Sequence, residues 1–281
     1  MVFIPDEFLD GLISEDMPYF DLTTHLLGIS GKEGTIRYVC REEAVICGTE
    51  EAVRILNKLG VEVTNSFPSG TVVKPGEFFL EGYGNAGSLH AGWKICQSLL
   101  DNCSAIATKT KRMVDIVHSV NPKMPVVTTR KSFPGIKALT LKAVLCGGAF
   151  PHRLGLSETV LIFKQHMNFI GGIDGLIERI PAIKEHSCEK KVFVEAESME
   201  EAIALCKAGV DGIQFDKLPP EVLSEGVPQL QEISPSVTLL ASGGINETNA
   251  ALYAVTGVDA LVTTSLFTAK PIDIGAKIER A

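Results

Sequence analysis

The sequence lacks the signatures of several protein classes. Its seven cysteines form no C-x-x-C pair and show no histidine spacing typical of a zinc site. Scattered thiols, most of them flanked by apolar residues, are typical of free cysteines in a reducing compartment. No apolar run reaches the roughly 18 residues that a membrane span needs. The N-terminus, MVFIPDEFLDGLISEDMPYFD, carries acidic residues early, unlike a signal peptide. We therefore expect a soluble cytoplasmic protein.

Positive charge is also scarce. Lys plus Arg total 26 against 34 for Asp plus Glu, so the net charge is −8 and we expect no nucleic-acid surface. No serine or cysteine nucleophile with a neighbouring base stands out, which disfavours covalent hydrolysis. The 281 residues, 45% of them apolar, suffice for one large domain or two smaller ones. Because the chain as a whole is negatively charged, any anion-binding site must depend on cations gathered at one place.

The pattern of apolar residues changes along the chain. Residues 34–86 predict short strands around one helix, with Thr49 as its N-cap and Gly60 at its end. Residues 87–120 contain no proline and predict one or two long helices. From residue 124 onward, short apolar runs alternate with helical stretches, as in parallel βα units. The candidate strands are PVVTTR, TVLIFK, KVFVEAE, GIQFD, VTLLAS and ALVTTS. Such a series favours a barrel, with an open sheet as the alternative, and in either form the reactive face lies at the carboxyl ends of the strands.

Polar residues follow these apolar strands, although any strand that leaves a core must meet water. We apply this plainer explanation to the charged residues Lys164, Glu197 and Lys217. A functional role is favoured for Arg130, Lys131, Glu195 and Asp216, because converging strand ends would bring two cations and two acids together.

Two further segments point to anion binding. The turn SGGI, which contains Ser242, Gly243 and Gly244, precedes a predicted helix and offers free backbone N–H groups to a phosphate. The loop CGGAFPHRLGL presents His152 and Arg153. Arginine forks suit carboxylates or phosphates, and acidic residues suit ribose hydroxyls or Mg²⁺. The sequence therefore predicts a site for a substrate with several negative charges.

Six segments in this order resemble the quinolinate phosphoribosyltransferase family: TRKSFPG, CGGAFPHRLGLSE, VFVEAESMEEA, QFDK, ASGGI and TGVDALVTTSL. They are most similar to its ModD branch, the pyrophosphorylase-like proteins associated with molybdate transport. The resemblance extends over almost the whole chain, including DLTT at 21–24 and SAIAT at 104–108. It implies an N-terminal α/β open-faced sandwich (1–105), on which the tail (268–281) packs, and a C-terminal parallel α/β barrel (106–267). It also implies a homodimer with shared active sites.

The same resemblance implies an activity and roles for particular residues. Family members transfer a phosphoribosyl group from phosphoribosyl pyrophosphate, with Mg²⁺, to the ring nitrogen of a pyridine carboxylate. By position, Glu195, Asp216 and Lys131 are catalytic, and Glu195 and Asp216 also address the ribose hydroxyls and the metal. The implied substrate-binding residues are Arg130, His152, Arg153, Lys94, Ser242, Gly243, Gly244 and Thr264.

Three positions depart from the family pattern. Phe163 stands where a substrate-binding lysine belongs, Lys94 replaces an arginine contributed across the dimer, and Thr264 replaces a glycine near the phosphate. We therefore expect an acidic acceptor other than quinolinate. One alternative is the carboxylating nicotinate-nucleotide pyrophosphorylase that acts on quinolinate. Another is a non-catalytic anion- or nucleotide-binding protein linked to molybdate transport, although the two carboxylates give an anion trap no advantage.

Overall fold

The computed structural model describes residues 2–281, which form two compact units. The first unit comprises the chain up to Lys111 together with Phe133–Gly148 and Phe267–Ala281. The second comprises Arg112–Ser132 and Ala149–Leu266. Within the described residues, no helix combines the length and apolarity that a bilayer crossing requires.

Helices and short strands alternate along most of the chain. The helices are α1 (Asp6–Asp16), α2 (Leu22–Leu26), α3 (Thr49–Lys58), α4 (Ala86–Val120), α5 (Lys137–Cys146), α6 (Lys164–Met167), α7 (Gly172–Ile177), α8 (Ile180–His186), α9 (Met199–Lys207), α10 (Pro220–Ile233) and α11 (Ala250–Ala254). The strands are β1 (Glu33–Cys40), β2 (Ala44–Val45), β3 (Glu62–Ser66), β4 (Val72–Val73), β5 (Phe78–Asn85), β6 (Val126–Thr128), β7 (Phe150–Pro151), β8 (Val160–Ile162), β9 (Val192–Ala196), β10 (Gly212–Asp216), β11 (Thr238–Ser242), β12 (Ala260–Thr263) and β13 (Ile274–Arg280).

The first unit is built on a four-stranded antiparallel sheet with the order β13-β1-β5-β3. Helix α3 buries Ala52, Ile55 and Leu56, which share one helical face, in the same core as Tyr38 and Phe79. A sheet covered by helices on one face confirms the predicted α/β character of this half. The chain's last strand, β13, completes one edge of the sheet.

The helix predicted around EEAVRILNKLG is confirmed, but its predicted N-cap is wrong. Thr49 is the first helical residue, and Gly48 precedes the helix with a φ of 94°. A side chain at Gly48 would meet Leu99 Cδ2 at 2.3 Å, so close packing also requires glycine there. Gly60, with a φ of 84°, follows the end of the helix as predicted.

A charged cluster lies within the first unit. The Lys142 ammonium is 2.7 Å from Glu50 Oε2 and 2.5 Å from Glu51 Oε2, and the Lys142 and Glu51 side chains are only 9% and 4% exposed. Burial opposes the ionisation of Glu50, but hydrogen bonds from Lys142 and Ser69 outweigh it and lower the pKa of Glu50 to about 2. Glu50 is therefore ionised over the whole neutral range.

The second unit is built on a seven-stranded parallel sheet with the order β7-β6-β12-β11-β10-β9-β8. The six strands predicted for this half are confirmed, and the two-residue strand β7 was not predicted. In the described residues the edge strands β7 and β8 form no ladder with each other, so the predicted barrel takes the form of a half-barrel. Its inner apolar side chains are Leu161, Phe193, Leu240, Ala260 and Val262.

The register of the parallel strands aligns their polar ends. Gln214 on β10 is paired with Glu195 on β9, and Asp216 is paired with Ser242 on β11. Since side chains two residues apart on a strand point to the same face, Gln214 and Asp216 share a face of the sheet. The fold therefore concentrates polar groups at the carboxyl edge.

We predict that Lys142→Ala strongly destabilises the first unit, because two carboxylates lose their shared cation. Removing one partner of a buried ion pair costs about 3–5 kcal/mol. Urea denaturation followed by circular dichroism should reveal a loss of unfolding free energy of that order at pH 7. Because the folded-state pKa of Glu50 is lowered, the stabilisation it represents is present above pH 4.5 and disappears towards pH 2. The difference from wild type should therefore shrink over that range.

Lys137→Ala is the matched control, because Lys137 begins the same helix and is exposed. It should change the unfolding free energy by no more than about 0.5 kcal/mol. Equal effects of the two substitutions would show that the cluster contributes nothing specific.

Candidate active site

A cavity of about 660 Å³ lies at the carboxyl edge of the seven-stranded sheet. Every predicted site residue except Lys94 lines it: Arg130, Lys131, His152, Arg153, Glu195, Asp216, Ser242, Gly243, Gly244 and Thr264. All of these belong to the second unit, and they come from several strand ends and loops. A single half-barrel edge thus brings together residues that are up to 134 positions apart in the chain, Arg130 and Thr264.

The cations Arg130 and Lys131 follow β6 after one residue, Thr129. The backbone N–H of Thr129 donates to Thr263 O at 3.1 Å, and its hydroxyl accepts the N–H of Lys131 at 3.2 Å. The same hydroxyl shares a 2.9 Å hydrogen bond with Thr264. Thr264 therefore does more than fill the place of a glycine, because its hydroxyl helps to hold the strand end that carries both cations.

His152 and Arg153 occupy the loop after β7. The N–H of His152 donates to Thr128 O at 3.0 Å, and Arg153 donates to Thr159 O at 3.4 Å. Burial and then the charge of Arg153 lower the pKa of His152, so the imidazole is mainly neutral at pH 7. Burial and the charge of Arg130 lower the pKa of Arg153. Like charges crowded in this way favour an anion between them.

The carboxylates of Glu195 and Asp216 lie at the ends of the neighbouring strands β9 and β10. Burial, followed by the charge of Asp216, raises the pKa of Glu195. A 3.0 Å hydrogen bond from the Gln214 amide to Glu195 Oε2 acts in the opposite direction. The cavity thus holds two acids in an environment where a further positive charge is favourable.

The glycine-rich turn after β11 departs from the prediction in one respect. Ser242 Oγ donates to Phe215 O at 2.8 Å, and Gly243 and Gly244 have φ values of 88° and 76°. A side chain at Gly243 would lie 2.6 Å from Asp216 Oδ1, so only glycine fits. Helix α11 begins only at Ala250, so the turn does not form the start of a helix as expected. Any phosphate there would depend on the turn's own N–H groups.

Lys94 is the predicted site residue that the cavity does not include. It lies on α4 in the first unit, where its ammonium donates to Gln97 Oε1 at 3.1 Å and stands 4.3 Å from the centre of the Trp93 ring. The prediction that a partner subunit contributes this residue stays a prediction.

The plainer explanation fits the exposure of Lys164, Glu197 and Lys217, but only Lys217 also lines the cavity. Lys164 and Glu197 form an exposed ion pair of 2.6 Å and do not line the cavity. Lys217 does line it, and its ammonium is 3.3 Å from Asp216 Oδ2. Its φ of 60° is the only positive value at a non-glycine position in the described residues. A left-handed backbone at that position turns the chain at the rim, which the sequence did not reveal.

Sequence reasoning also missed polar residues that line the cavity. Gln214, Gln165 and Asn246 are examples. Gln214 had a readable signal, since it is the polar residue inside the apolar strand GIQFD and shares a face with Asp216. Phe163, noted in the sequence for replacing a lysine, lies in the wall with the Arg153 guanidinium 5.9 Å from its ring centre.

Comparison with known proteins identifies the family that the sequence motifs resemble, and it does so over nearly the whole chain. The family profiles of the N- and C-terminal domains of quinolinate phosphoribosyl transferase match residues 21–104 and 106–277. A protein of Rhodobacter capsulatus, provisionally named pyrophosphorylase ModD, is 40% identical over 253 residues, which cover 89% of this chain and 96% of that protein. The carboxylating nicotinate-nucleotide pyrophosphorylase of Mycobacterium leprae is 32% identical over 269 residues, covering 94% and 93%.

The architecture agrees with a solved structure. The nicotinate-nucleotide pyrophosphorylase from Francisella tularensis aligns with a TM-score of 0.88 and 26% identity, covering 99% of this chain and 98% of that one. Both domains, the order of the motifs and the half-barrel therefore lead to one conclusion. The chain belongs to the quinolinate phosphoribosyltransferase family.

Proposed function

We propose that this phosphoribosyltransferase joins the phosphoribosyl group of phosphoribosyl pyrophosphate to an acidic ring base other than quinolinate. The observation that carries the proposal is the composition of the cavity. Four basic side chains, Arg130, Lys131, Arg153 and Lys217, share it with the carboxylates of Glu195 and Asp216. This combination suits a reaction in which an anionic acceptor and an anionic leaving group flank a ribose that becomes cationic.

The reaction exchanges one bond at ribose C1 for another. The C1–O bond to pyrophosphate breaks and pyrophosphate leaves with the electron pair, while the lone pair of the acceptor's ring nitrogen forms the new C1–N bond. The carboxylates of Glu195 and Asp216 stabilise the positive charge on the ribose. Lys131, Arg130 and Arg153 hold negative charge on the acceptor or the leaving group, so catalysis consists of positioning and electrostatic stabilisation.

The donor set fits Mg²⁺ that arrives with its substrate. In residues 2–281, no three His, Cys, Asp or Glu side chains cluster closely enough to hold a metal by themselves. Glu195 and Asp216 can supply one or two oxygen ligands, which is the usual protein share for Mg²⁺ bound to phosphates. When bound, the ion would neutralise charge on the pyrophosphate.

The acceptor side of the cavity supports a change of substrate. Phe163 places an apolar ring where the family pattern has a lysine, and Arg153 and His166 lie against that ring. Lys164 is the neighbouring cation, but it is paired with Glu197 outside the cavity. One positive charge is therefore missing from the acceptor wall. We infer an acceptor that has fewer carboxylates than quinolinate, or that lacks the carboxylate that quinolinate releases as CO₂.

A substrate screen tests the proposal. The purified protein is incubated with phosphoribosyl pyrophosphate, Mg²⁺ and a series of pyridine mono- and dicarboxylates and related acidic bases, and pyrophosphate, nucleotide and CO₂ are measured. We expect pyrophosphate and nucleotide with at least one acceptor, and little CO₂ from quinolinate.

Two other outcomes have distinct meanings. Rapid CO₂ release from quinolinate would contradict the changed acceptor and identify the ordinary carboxylating enzyme. Calorimetric binding of molybdate, without binding of phosphoribosyl pyrophosphate in the presence of Mg²⁺, would contradict transferase activity and favour an anion-binding protein.

We predict that Glu195→Gln and Asp216→Asn each lower kcat by about 100-fold or more, because each removes a negative charge beside the developing cation. Both proteins should stay folded. For Glu195 the unfolding free energy should even rise slightly, since burial and Asp216 disfavour its charge. Single-turnover pyrophosphate release and thermal denaturation measure the two effects.

Glu197→Gln is the control for these variants. It removes an exposed carboxylate two residues after Glu195 that does not line the cavity. Its kcat should stay within about twofold of wild type, as expected for a substitution away from the reacting atoms. A similar loss of kcat in all three variants would mean that the net charge of the protein, and not the two carboxylates in the cavity, determines the rate.

We further predict that Phe163→Lys improves the use of quinolinate, because it returns a cation to the acceptor wall. One charge-assisted hydrogen bond contributes about 1.5 kcal/mol or more, so KM for quinolinate should fall about tenfold. Phe163→Leu removes the ring without adding charge and should leave quinolinate a poor substrate. An equal improvement in KM for quinolinate in both variants would show that the size of the side chain at position 163, not its charge, determines the use of quinolinate.

A further inference from the structure

Lys217 is a basic residue at the rim of the cavity whose backbone conformation is unfavourable for its type. It follows β10 directly and lines the cavity, and its φ of 60° lies in the left-handed region. That region suits glycine or asparagine better than lysine, because a longer side chain crowds the backbone there. A residue held in this conformation at the edge of a cavity points to a function for its side chain.

The glycine-rich turn after β11 is shaped around this lysine. The N–H of Lys217 donates to Ser242 O at 2.8 Å, which extends the hydrogen bonding between β10 and β11 by one residue. A side chain at Gly243 would lie 2.5 Å from Lys217 Cγ and 2.8 Å from its backbone nitrogen. Glycine at position 243 therefore leaves the space that the lysine stem occupies, and the lysine and the turn form one local structure.

Lys217 brings positive charge to a part of the cavity edge where the other basic residues do not originate. Within residues 2–281, the others that line the cavity follow β6 or β7: Arg130, Lys131, His152 and Arg153. In the sheet, β12 separates β6 from β11, whereas β10 is the direct neighbour of β11. Helix α11 begins only at Ala250, so its N-terminus adds no positive end to the turn. Lys217 supplies the charge that the turn's N–H groups lack.

The ammonium group of Lys217 can change its partner easily. It lies 3.3 Å from Asp216 Oδ2, but the lysine side chain is 75% exposed. An ion pair exposed to this extent contributes little to stability, because water screens the charges and the long side chain loses conformational freedom. A phosphate anion at the glycine-rich turn can therefore replace Asp216 as the partner of the lysine. The Asp216 carboxylate is then released to the ribose.

We propose that Lys217 binds the phosphate on ribose C5 of the phosphoribosyl donor, together with the backbone N–H groups of the glycine-rich turn. The inference rests on the proposed function, which supplies the identity of the donor. The phosphate on C5 takes no part in the bond exchange at C1, so it suits a turn with a fixed backbone. For the same reason, Lys217 should stabilise the bound substrate and the transition state equally.

Calorimetry with ribose 5-phosphate as the probe tests the proposal. Lys217→Asn removes the charge and introduces a residue type that tolerates a left-handed backbone. We expect the affinity for ribose 5-phosphate to fall about tenfold or more, the size of one hydrogen bond to a charged group. The affinity for inorganic pyrophosphate should stay within about twofold of wild type. Because the backbone strain is relieved, the melting temperature should stay the same or rise. Lys217→Gly replaces the asparagine variant if that protein does not fold.

Two further measurements separate charge from shape. Lys217→Arg keeps the positive charge, so it should bind ribose 5-phosphate clearly better than Lys217→Asn does. With an acceptor that supports turnover, KM for phosphoribosyl pyrophosphate should rise about tenfold in Lys217→Asn while kcat stays within about twofold, the pattern of a contact that is equal in substrate and transition state.

Lys164→Asn is the matched control. Lys164 is also an exposed lysine after a strand of the same sheet and is also paired with a carboxylate, at 2.6 Å from Glu197 Oε2, but it does not line the cavity. Its affinity for ribose 5-phosphate should stay within about twofold of wild type.

The outcomes distinguish the role of Lys217 from the proposed function. An unchanged affinity for ribose 5-phosphate in Lys217→Asn, an equal loss in Lys164→Asn, or no advantage of Lys217→Arg over Lys217→Asn overturns the role. A loss of affinity for pyrophosphate alone assigns the lysine to the leaving group and overturns it as well. Wild-type protein that binds ribose 5-phosphate, but not phosphoribosyl pyrophosphate with Mg²⁺, overturns the proposed function, while the variants still decide whether Lys217 binds the phosphate. Binding of neither compound overturns both.

Discussion

The register between strands β9, β10 and β11 is the constraint on which the candidate site depends. Parallel pairing sets Glu195 beside Gln214 and Asp216 beside Ser242, and the two-residue repeat of a strand sends these side chains to one face. A shift of one residue would move the side chains of Glu195 and Asp216 to the opposite face of the sheet and bring Phe215 into the cavity. The apolar inner residues Leu161, Phe193, Leu240, Ala260 and Val262 oppose such a shift, because they would leave their core. The packing of these apolar side chains therefore determines which polar side chains face the cavity.

Local charge, not the charge of the whole chain, distinguishes this cavity. The protein carries a net charge of −8, yet the cavity gathers cations from the end of β6 and from the loop after β7. The strand pattern and the polar residues at strand ends were enough to predict this, because parallel strands necessarily bring their carboxyl ends together. Gly209 and Gly257 follow helices α9 and α11 with φ values of 83° and 89°, a backbone conformation that favours glycine after a helix. Ser198 caps α9 as its spacing to Glu201 predicts.

The features that sequence missed depend on competition between local and tertiary contacts. Asn246 follows the SGGI turn at the start of a predicted helix, where asparagine is a common N-cap, but its side chain accepts the N–H of Thr248 at 2.9 Å in a turn, and α11 begins later. Lys217 looked like an ordinary solvated residue, because nothing in its neighbours announces a positive φ. Gln214 gains its meaning only from its partner on β9, which is 19 residues away in sequence. Turn geometry and strand register are properties of the folded chain, and a one-dimensional pattern records them poorly.

In the proposed reaction, the phosphate site and the acceptor site depend on different parts of the protein. The phosphate end relies on backbone geometry, because Gly243 must remain glycine to clear Asp216 Oδ1, and Ser242 is tied to the backbone of β10. The acceptor end relies on side chains such as Arg153 and Phe163, which a single substitution can alter without moving a strand. Backbone constraints resist change, since any side chain at Gly243 would displace Asp216 or Lys217. Side-chain constraints do not, so we expect the acceptor site of the proposed reaction to change more readily than the phosphate site. Phe163, which stands where the family resemblance implies a lysine, is an example of the second kind.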